Sequence, residues 1–108
     1  MPELTTSRQT TFSVRLGIAY YYHGIINPGV DASHYLGNDG DPVIVYLGSE
    51  AEQVDSVINR SANPNGSVRI VGNNRRIAEW FQQHYKFGET VEAKVRDPQH
   101  ILLMMPTE

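Results

Sequence analysis

The stretch SVRIVGNNRRIAEWFQQHYKFGETVEAKV, residues 67–95, decides the fold because two kinds of periodicity follow one another in it. At its start, two apolar residues alternate with Arg69, which predicts a short strand with one apolar and one basic face. A glycine then interrupts the alternation, and Asn73 or Asn74 can cap a following helix. The stretch therefore predicts a strand, a turn and a helix, with arginines on both sides of the turn.

The helix in this stretch is predicted to be amphipathic. Its core-facing residues recur at helical spacing, and they are Ile77, Trp80, Phe81 and His84 or Tyr85. Gly88 suits the left-handed turn that ends such a helix, and a strand follows it. Arg69, Arg75 and Arg76 lie near the helix start in the sequence. This arginine group is the first candidate for a binding site.

The composition is that of one globular domain. The chain has 108 residues, of which 40% are hydrophobic and 19% charged, and this is enough for one core. No apolar run is long enough to cross a bilayer, so we expect no membrane partner. The lack of cysteine excludes disulfides and fits a cytoplasmic location. We expect residues 1–10 to be a flexible N-terminus and residues 11–108 to form the domain.

The charges are unevenly distributed along the chain. A net charge of -3 argues against a general binder of polyanions. However, residues 60–76 contain four arginines and no acid, whereas residues 39–55 contain five acids and no base. A polarised chain of this kind can present one basic face despite its negative total.

Strand patterns dominate the rest of the chain. Besides the strand before Gly72, they cover residues 11–22, 25–26, 42–47, 53–60, 90–96 and 101–105. Residues 53–60 also fit a helical face, but the Asn-Gly signal within residues 63–66 favours a hairpin there. A short helix is predicted over residues 31–36. Seven strands and two short helices indicate an all-β barrel or sandwich.

The order of these elements resembles that of the DNA-binding pseudobarrels, which include plant auxin-response-factor-type domains and the recognition or effector domains of restriction endonucleases. Residues 24–36, GIINPGVDASHYL, look like the second strand and short helix of that family. Residues 68–91 look like its later hairpin strand, its Trp-Phe helix and its Gly-acid turn. The resemblance implies a mostly β, seven-stranded open pseudobarrel with two short helices sealing its ends. It also implies sequence-specific binding of double-stranded DNA, with a nuclease catalytic domain as a possible partner.

In that family two arms grip the major groove. The matching segments here are roughly residues 17–24 and 59–67. Arginine can bond bidentately to guanine and asparagine to adenine, so the arms are expected to read bases while the arginine group holds phosphates. The candidate DNA-contacting residues are Arg15, Tyr20, Tyr21, Tyr22, His23, Arg60, Asn63, Asn65, Arg69, Asn73, Asn74, Arg75 and Arg76.

Several of these features have other interpretations. The tyrosine run can simply fill a strand, and Arg75 and Arg76 can pair with Glu79 in solvent. A rival class of function is a protein-interaction or oligomerisation β-domain, in which the tyrosine run and a terminal strand at residues 102–105 pair with another chain.

No catalytic motif stands out. The four histidines lie on separate segments, and the acidic turn at residues 38–41 lacks the regular ligand spacing of a calcium loop. The chain has no nucleophile elbow and no phosphate-binding loop. We therefore expect a non-catalytic domain without a metal or cofactor. A weaker alternative is a small hydrolase or ligand-binding barrel that uses His23 and a nearby acid.

Overall fold

The structure, a computed structural model, describes residues 10–49, 51–61, 64, 66, 69–70 and 75–106. Six strands and three helices lie within these residues. In chain order they are β1 Thr10–Arg15, α1 Ile18–His23, α2 Val30–Ser33, β2 Pro42–Leu47, β3 Gln53–Asn59, β4 Arg69–Ile70, α3 Arg75–His84, β5 Thr90–Asp97 and β6 His100–Leu103. The described chain is therefore mostly β.

Five strands form a mixed sheet, and the two-residue strand β4 extends one edge of it. The strand order is β1-β5-β6-β2-β3-β4. β2 and β6 run parallel, with Val45 opposite Ile101, and the other neighbours are antiparallel. The last strand of the chain, β6, thus lies inside the sheet between β5 and β2.

The core lies between one face of the sheet and the helices. Apolar and polar residues alternate in β1, so that Phe12 and Val14 are buried while their neighbours are exposed. The helix α3 buries Ile77, Trp80 and Phe81 against the same core, as its amphipathic pattern predicts. Burial of these large side chains, each contributing about 1.5–3 kcal/mol, fixes the position of α3 on the sheet.

The structure differs from the expected seven-stranded pseudobarrel. The described strands number six, and their sheet stays open instead of closing into a barrel. Residues 25–26 do not form a strand, since Ile26 makes only an isolated bridge and both isoleucines are buried. A third helix, α1, also takes the place of the second half of the first predicted strand.

The tyrosine run folds as a helix because of the residues at its two ends. β1 ends at Arg15, and Gly24 adopts a left-handed conformation at φ 68°, where its N–H donates to the Tyr20 carbonyl oxygen. Glycine reaches this conformation without the steric cost of a Cβ, so it ends the helix cleanly. The strand predicted over residues 11–22 is therefore wrong beyond residue 15.

Other predictions are confirmed. The strands over residues 42–47 and 53–60 appear as β2 and β3, and the strands over residues 90–96 and 101–105 appear as β5 and β6 with shifted ends. The helical turns in residues 31–36 appear as α2, and Gly88 has φ 88°. Residues 1–9, and residues 63 and 65 of the predicted hairpin turn, lie outside the described residues. The helices α1, α2 and α3 are each too short to span a membrane.

Candidate nucleic-acid interface

The helix α1 rests on α3 and turns part of its tyrosine run outward. The Tyr21 hydroxyl donates to the Tyr85 carbonyl oxygen at 2.8 Å, and the Gln82 side-chain amide donates to the Tyr21 carbonyl oxygen at 3.2 Å. These bonds hold Tyr21 against the end of α3. Tyr20 packs against the core from the same helix, whereas Tyr22 and His23 are exposed.

A shallow groove of about 310 Å³ runs between α1 and α3, along residues 75–82 of α3. Tyr22 and His23 line it from α1, while Arg75, Glu79 and Gln82 line it from α3. The groove therefore brings together residues that are about fifty positions apart in the sequence. Hydroxyl, imidazole and guanidinium groups all bond to phosphate oxygens, so this set suits contact with a nucleic-acid backbone.

The two arginines that open α3 make weak, exposed contacts. Arg75 lies 3.6 Å from Glu79, and 89% of its side chain is accessible to solvent. Arg76 donates to the Gln53 carbonyl oxygen at 3.1 Å and lies 3.8 Å from Glu52. Exposed pairs of this kind contribute about 0–1 kcal/mol, so a phosphate can replace the carboxylate at little cost.

Arg60 is placed differently from the other arginines. Its Nε donates to the Gly37 carbonyl oxygen at 2.9 Å and its Nη1 to that of Gly66 at 3.1 Å. Its Nη2 donates twice, to the carbonyl oxygens of Ser33 at 2.9 Å and Leu36 at 3.1 Å. Because a guanidinium has five N–H donors, one remains, which is too few for a bidentate bond to guanine unless an existing bond breaks.

The bonds of Arg60 shape the start of the second arm. They join the segment after β3 to the end of α2, and the Arg60 N–H also donates to the Asp39 carboxylate at 2.7 Å. Arg60 follows the last residue of β3, whereas Arg76 contacts the first residue, Gln53. Seven strand residues separate these contacts by about 20 Å. Arg60 and the arginines of α3 thus belong to different parts of the surface.

The remaining candidates are placed as follows. Arg15 is exposed at the end of β1, opposite Thr90 of β5. Arg69 lies in β4 opposite Asn59, and its side chain is not among the described groups. Asn63, Asn65, Asn73 and Asn74 lie outside the described residues.

Two exposed apolar residues at this surface were not predicted from the sequence. Phe87 stacks on Tyr22 with ring centroids 6.1 Å apart, and Ile18 lies one helical turn before Tyr22. Ile18 is 69% exposed, and Tyr22 and Phe87 are each 53% exposed. The signal in the sequence was the spacing of Ile18 and Tyr22, which fits one face of a helix but was outweighed by their preference for strands.

The alternative catalytic site at His23 gains an acidic neighbour in the fold, since Glu79 lines the same groove. No hydrogen bond joins the two side chains in the part of the chain that the structure describes. The described histidines and acids also include no group of three that could hold a metal ion.

Comparison of the chain with protein-family models, curated proteins and solved structures found no match.

Proposed function

We propose that this chain is a non-catalytic module that binds double-stranded DNA sequence-specifically in the major groove. The observation that carries the proposal is the groove in which Tyr22, His23 and Arg75 meet. It combines the predicted first arm with Arg75 of the arginine group, two features that the sequence suggested separately. The family resemblance supports the same function and adds a nuclease catalytic domain of a restriction-type protein as a partner.

In this proposal two regions of the surface contact different parts of the DNA. Arg75 and Arg76, at the positive end of the α3 dipole, hold phosphates and set the register. The second arm, which contains Asn63 and Asn65, reads bases. Arg60 acts as the anchor of that arm, since its donors are occupied by carbonyl oxygens.

Selection from a pool of random duplexes tests this function. The chain should enrich one sequence motif over repeated rounds, and the selected duplex should bind more tightly than an unselected one by about 10³-fold or more. Asn65→Ala should lower that ratio, whereas Arg75→Gln should weaken both duplexes by a similar factor. Enrichment of no motif, with no salt-sensitive binding to any duplex, would exclude the proposal.

A protein-interaction domain is the second candidate function, and the exposed patch of Ile18, Tyr22 and Phe87 favours it. The terminal strand cannot offer the pairing edge that this alternative predicted, because β6 is bonded on both sides. Analytical ultracentrifugation separates the two candidates. Self-association that Ile18→Ser abolishes, without loss of any DNA affinity, would favour the second.

A further inference from the structure

A second groove, of about 410 Å³, lies at the far end of α3 from the arginines. Glu89 and Glu92 line it together with Tyr85, Met104 and Met105. Because α3 has ten residues, about 15 Å separates its two ends. This groove, called the acidic groove below, shares no lining residue with the proposed DNA-binding groove and is distinct from it.

The carboxylates of the acidic groove are bonded only to neutral donors in the described part of the chain. Glu89 accepts from the Lys86 main-chain N–H, and the two oxygens of Glu92 accept from the Ser13 hydroxyl at 2.9 and 3.0 Å. Lys94 lies two residues from Glu92 on the same strand and makes no ion pair with it. The residues that line the acidic groove thus include two carboxylates and neither lysine nor arginine.

The pKa of the Tyr85 hydroxyl reflects the negative charge of these carboxylates. Burial raises the pKa of the Tyr85 hydroxyl, and the charges of Glu89 and Glu92 raise it further. That hydroxyl donates to the Met104 carbonyl oxygen at 2.6 Å, which fixes the chain after β6 beside the carboxylates.

The apolar part of the acidic groove consists mainly of methionine. Met104 and Met105 are 42% and 45% exposed, and the Met105 sulfur lies close to Gly48 of the neighbouring loop. Unbranched, polarisable methionine side chains adapt to different partners and pack well against aliphatic chains. Exposed methionines beside unpaired carboxylates suit a ligand that is both cationic and aliphatic.

We propose that the acidic groove binds a segment of a partner protein that is rich in arginine or lysine. The aliphatic stems of these residues pack on Met104 and Met105, and their charged heads pair with Glu89 and Glu92. Charge complementarity selects this occupant, because a nucleic acid or an acidic peptide would be repelled. A module that binds DNA at one end of α3 can thus hold a basic partner at the other.

The test uses a fluorescent peptide in which arginine and leucine alternate with serine. Two matched peptides replace arginine by glutamate or leucine by serine. We expect the first peptide to bind and both controls to bind more weakly. In the protein, Glu89→Gln combined with Glu92→Gln should weaken binding about tenfold, while Asp55→Asn, which removes an exposed carboxylate elsewhere, should leave it unchanged.

Methyl-labelled methionine gives a second readout that needs no variant. The chain has three methionines, so the Met104 and Met105 methyl signals are easily resolved and can be assigned with Met104→Leu. The peptide should shift both signals, and duplex DNA should shift neither. Equal binding of all three peptides, or peptide binding without a shift of these signals, would overturn the assignment. Neither outcome would bear on DNA binding at the other groove.

Discussion

Arg60 carries a guanidinium group that is aimed at main-chain oxygens and not at solvent. Four carbonyl oxygens, from the end of α2 and from the arm after β3, accept its hydrogen bonds. The Ser33 carbonyl oxygen also accepts from the Leu36 N–H at 3.2 Å, so the arginine reinforces the turn after α2 as well as joining it to the arm. A charge pattern in the sequence could not show this, because three of the four oxygens come from residues more than twenty positions away.

Replacing Arg60 by alanine should therefore destabilise the fold. We expect Arg60→Ala to lower the free energy of unfolding by about 2–3 kcal/mol, because several partly buried carbonyl oxygens lose a charged donor. Urea unfolding measures this change. Arg75→Ala is the matched control and should change stability by less than about 0.5 kcal/mol, since its side chain is almost fully exposed. If Arg60→Ala left the stability unchanged and altered the base preference, Arg60 would be a base-reading residue and not an anchor.

Asp97 makes the stability of the fold depend on pH in the acid range. Burial alone would raise the pKa of the Asp97 carboxyl, but the His100 hydrogen bond at 2.7 Å and the Gln99 N–H bond outweigh it, and the net pKa is lowered. Because the charged form is favoured in the folded state, the stabilisation is present above the unfolded pKa of about 3.9. It is lost as the pH falls through the lower folded pKa.

The variant Asp97→Asn should thus be less stable than the wild type near neutral pH and should lose less stability on acidification. Urea midpoints measured at about pH 6 and about pH 3 test this difference. Asp55→Asn, which removes an exposed carboxyl without such hydrogen bonds, is the control. If the wild type and Asp97→Asn lost the same amount of stability between the two pH values, the proposed role of the Asp97 pKa would be contradicted.

The elements that the sequence predicted well are those with one strong period. The apolar run of β2, the alternation in β5 and the amphipathic face of α3 agree with the strands and helix observed there. The helix α1 was missed because tyrosine favours strands, whereas its actual conformation depends on a glycine at its end and on contacts with α3. Those contacts join residues over sixty positions apart, so no local pattern contains them.

The hydrogen bond from Tyr21 to Tyr85 should control how firmly α1 is held. Tyr21→Phe removes only this hydroxyl, and we expect the Gly24 amide, which caps α1, to exchange its hydrogen about threefold to tenfold faster. Tyr22→Phe is the matched control because its ring is exposed and should leave the exchange rate unchanged. Identical exchange in the two variants would show that packing alone positions α1.

At the scale of the whole molecule, opposite charges lie at the two ends of α3. Arg75 and Arg76 are at its beginning, and Glu89 and Glu92 line the groove beyond its end. The sequence predicted a basic segment at residues 60–76 and an acidic one at residues 39–55, but the fold brings the two together, since Arg76 lies 3.8 Å from Glu52 and the Arg60 N–H donates to Asp39. The meeting of Arg75 with Tyr22 and His23 was not predictable, since it depends on the docking of α1. Arg60 was grouped with the arginines of α3 by sequence position, although the length of β3 separates it from them.

Binding of the selected duplex at a series of salt concentrations tests the central proposal most directly. We expect the affinity to fall linearly with salt on logarithmic axes, and Arg75→Gln to reduce that slope by about 1, because one phosphate contact is lost. Lys86→Gln removes an exposed cation near the other end of α3 and should leave the slope unchanged. Equal slopes for the wild type and Arg75→Gln, or equal losses in the two variants, would contradict DNA binding through the groove between α1 and α3.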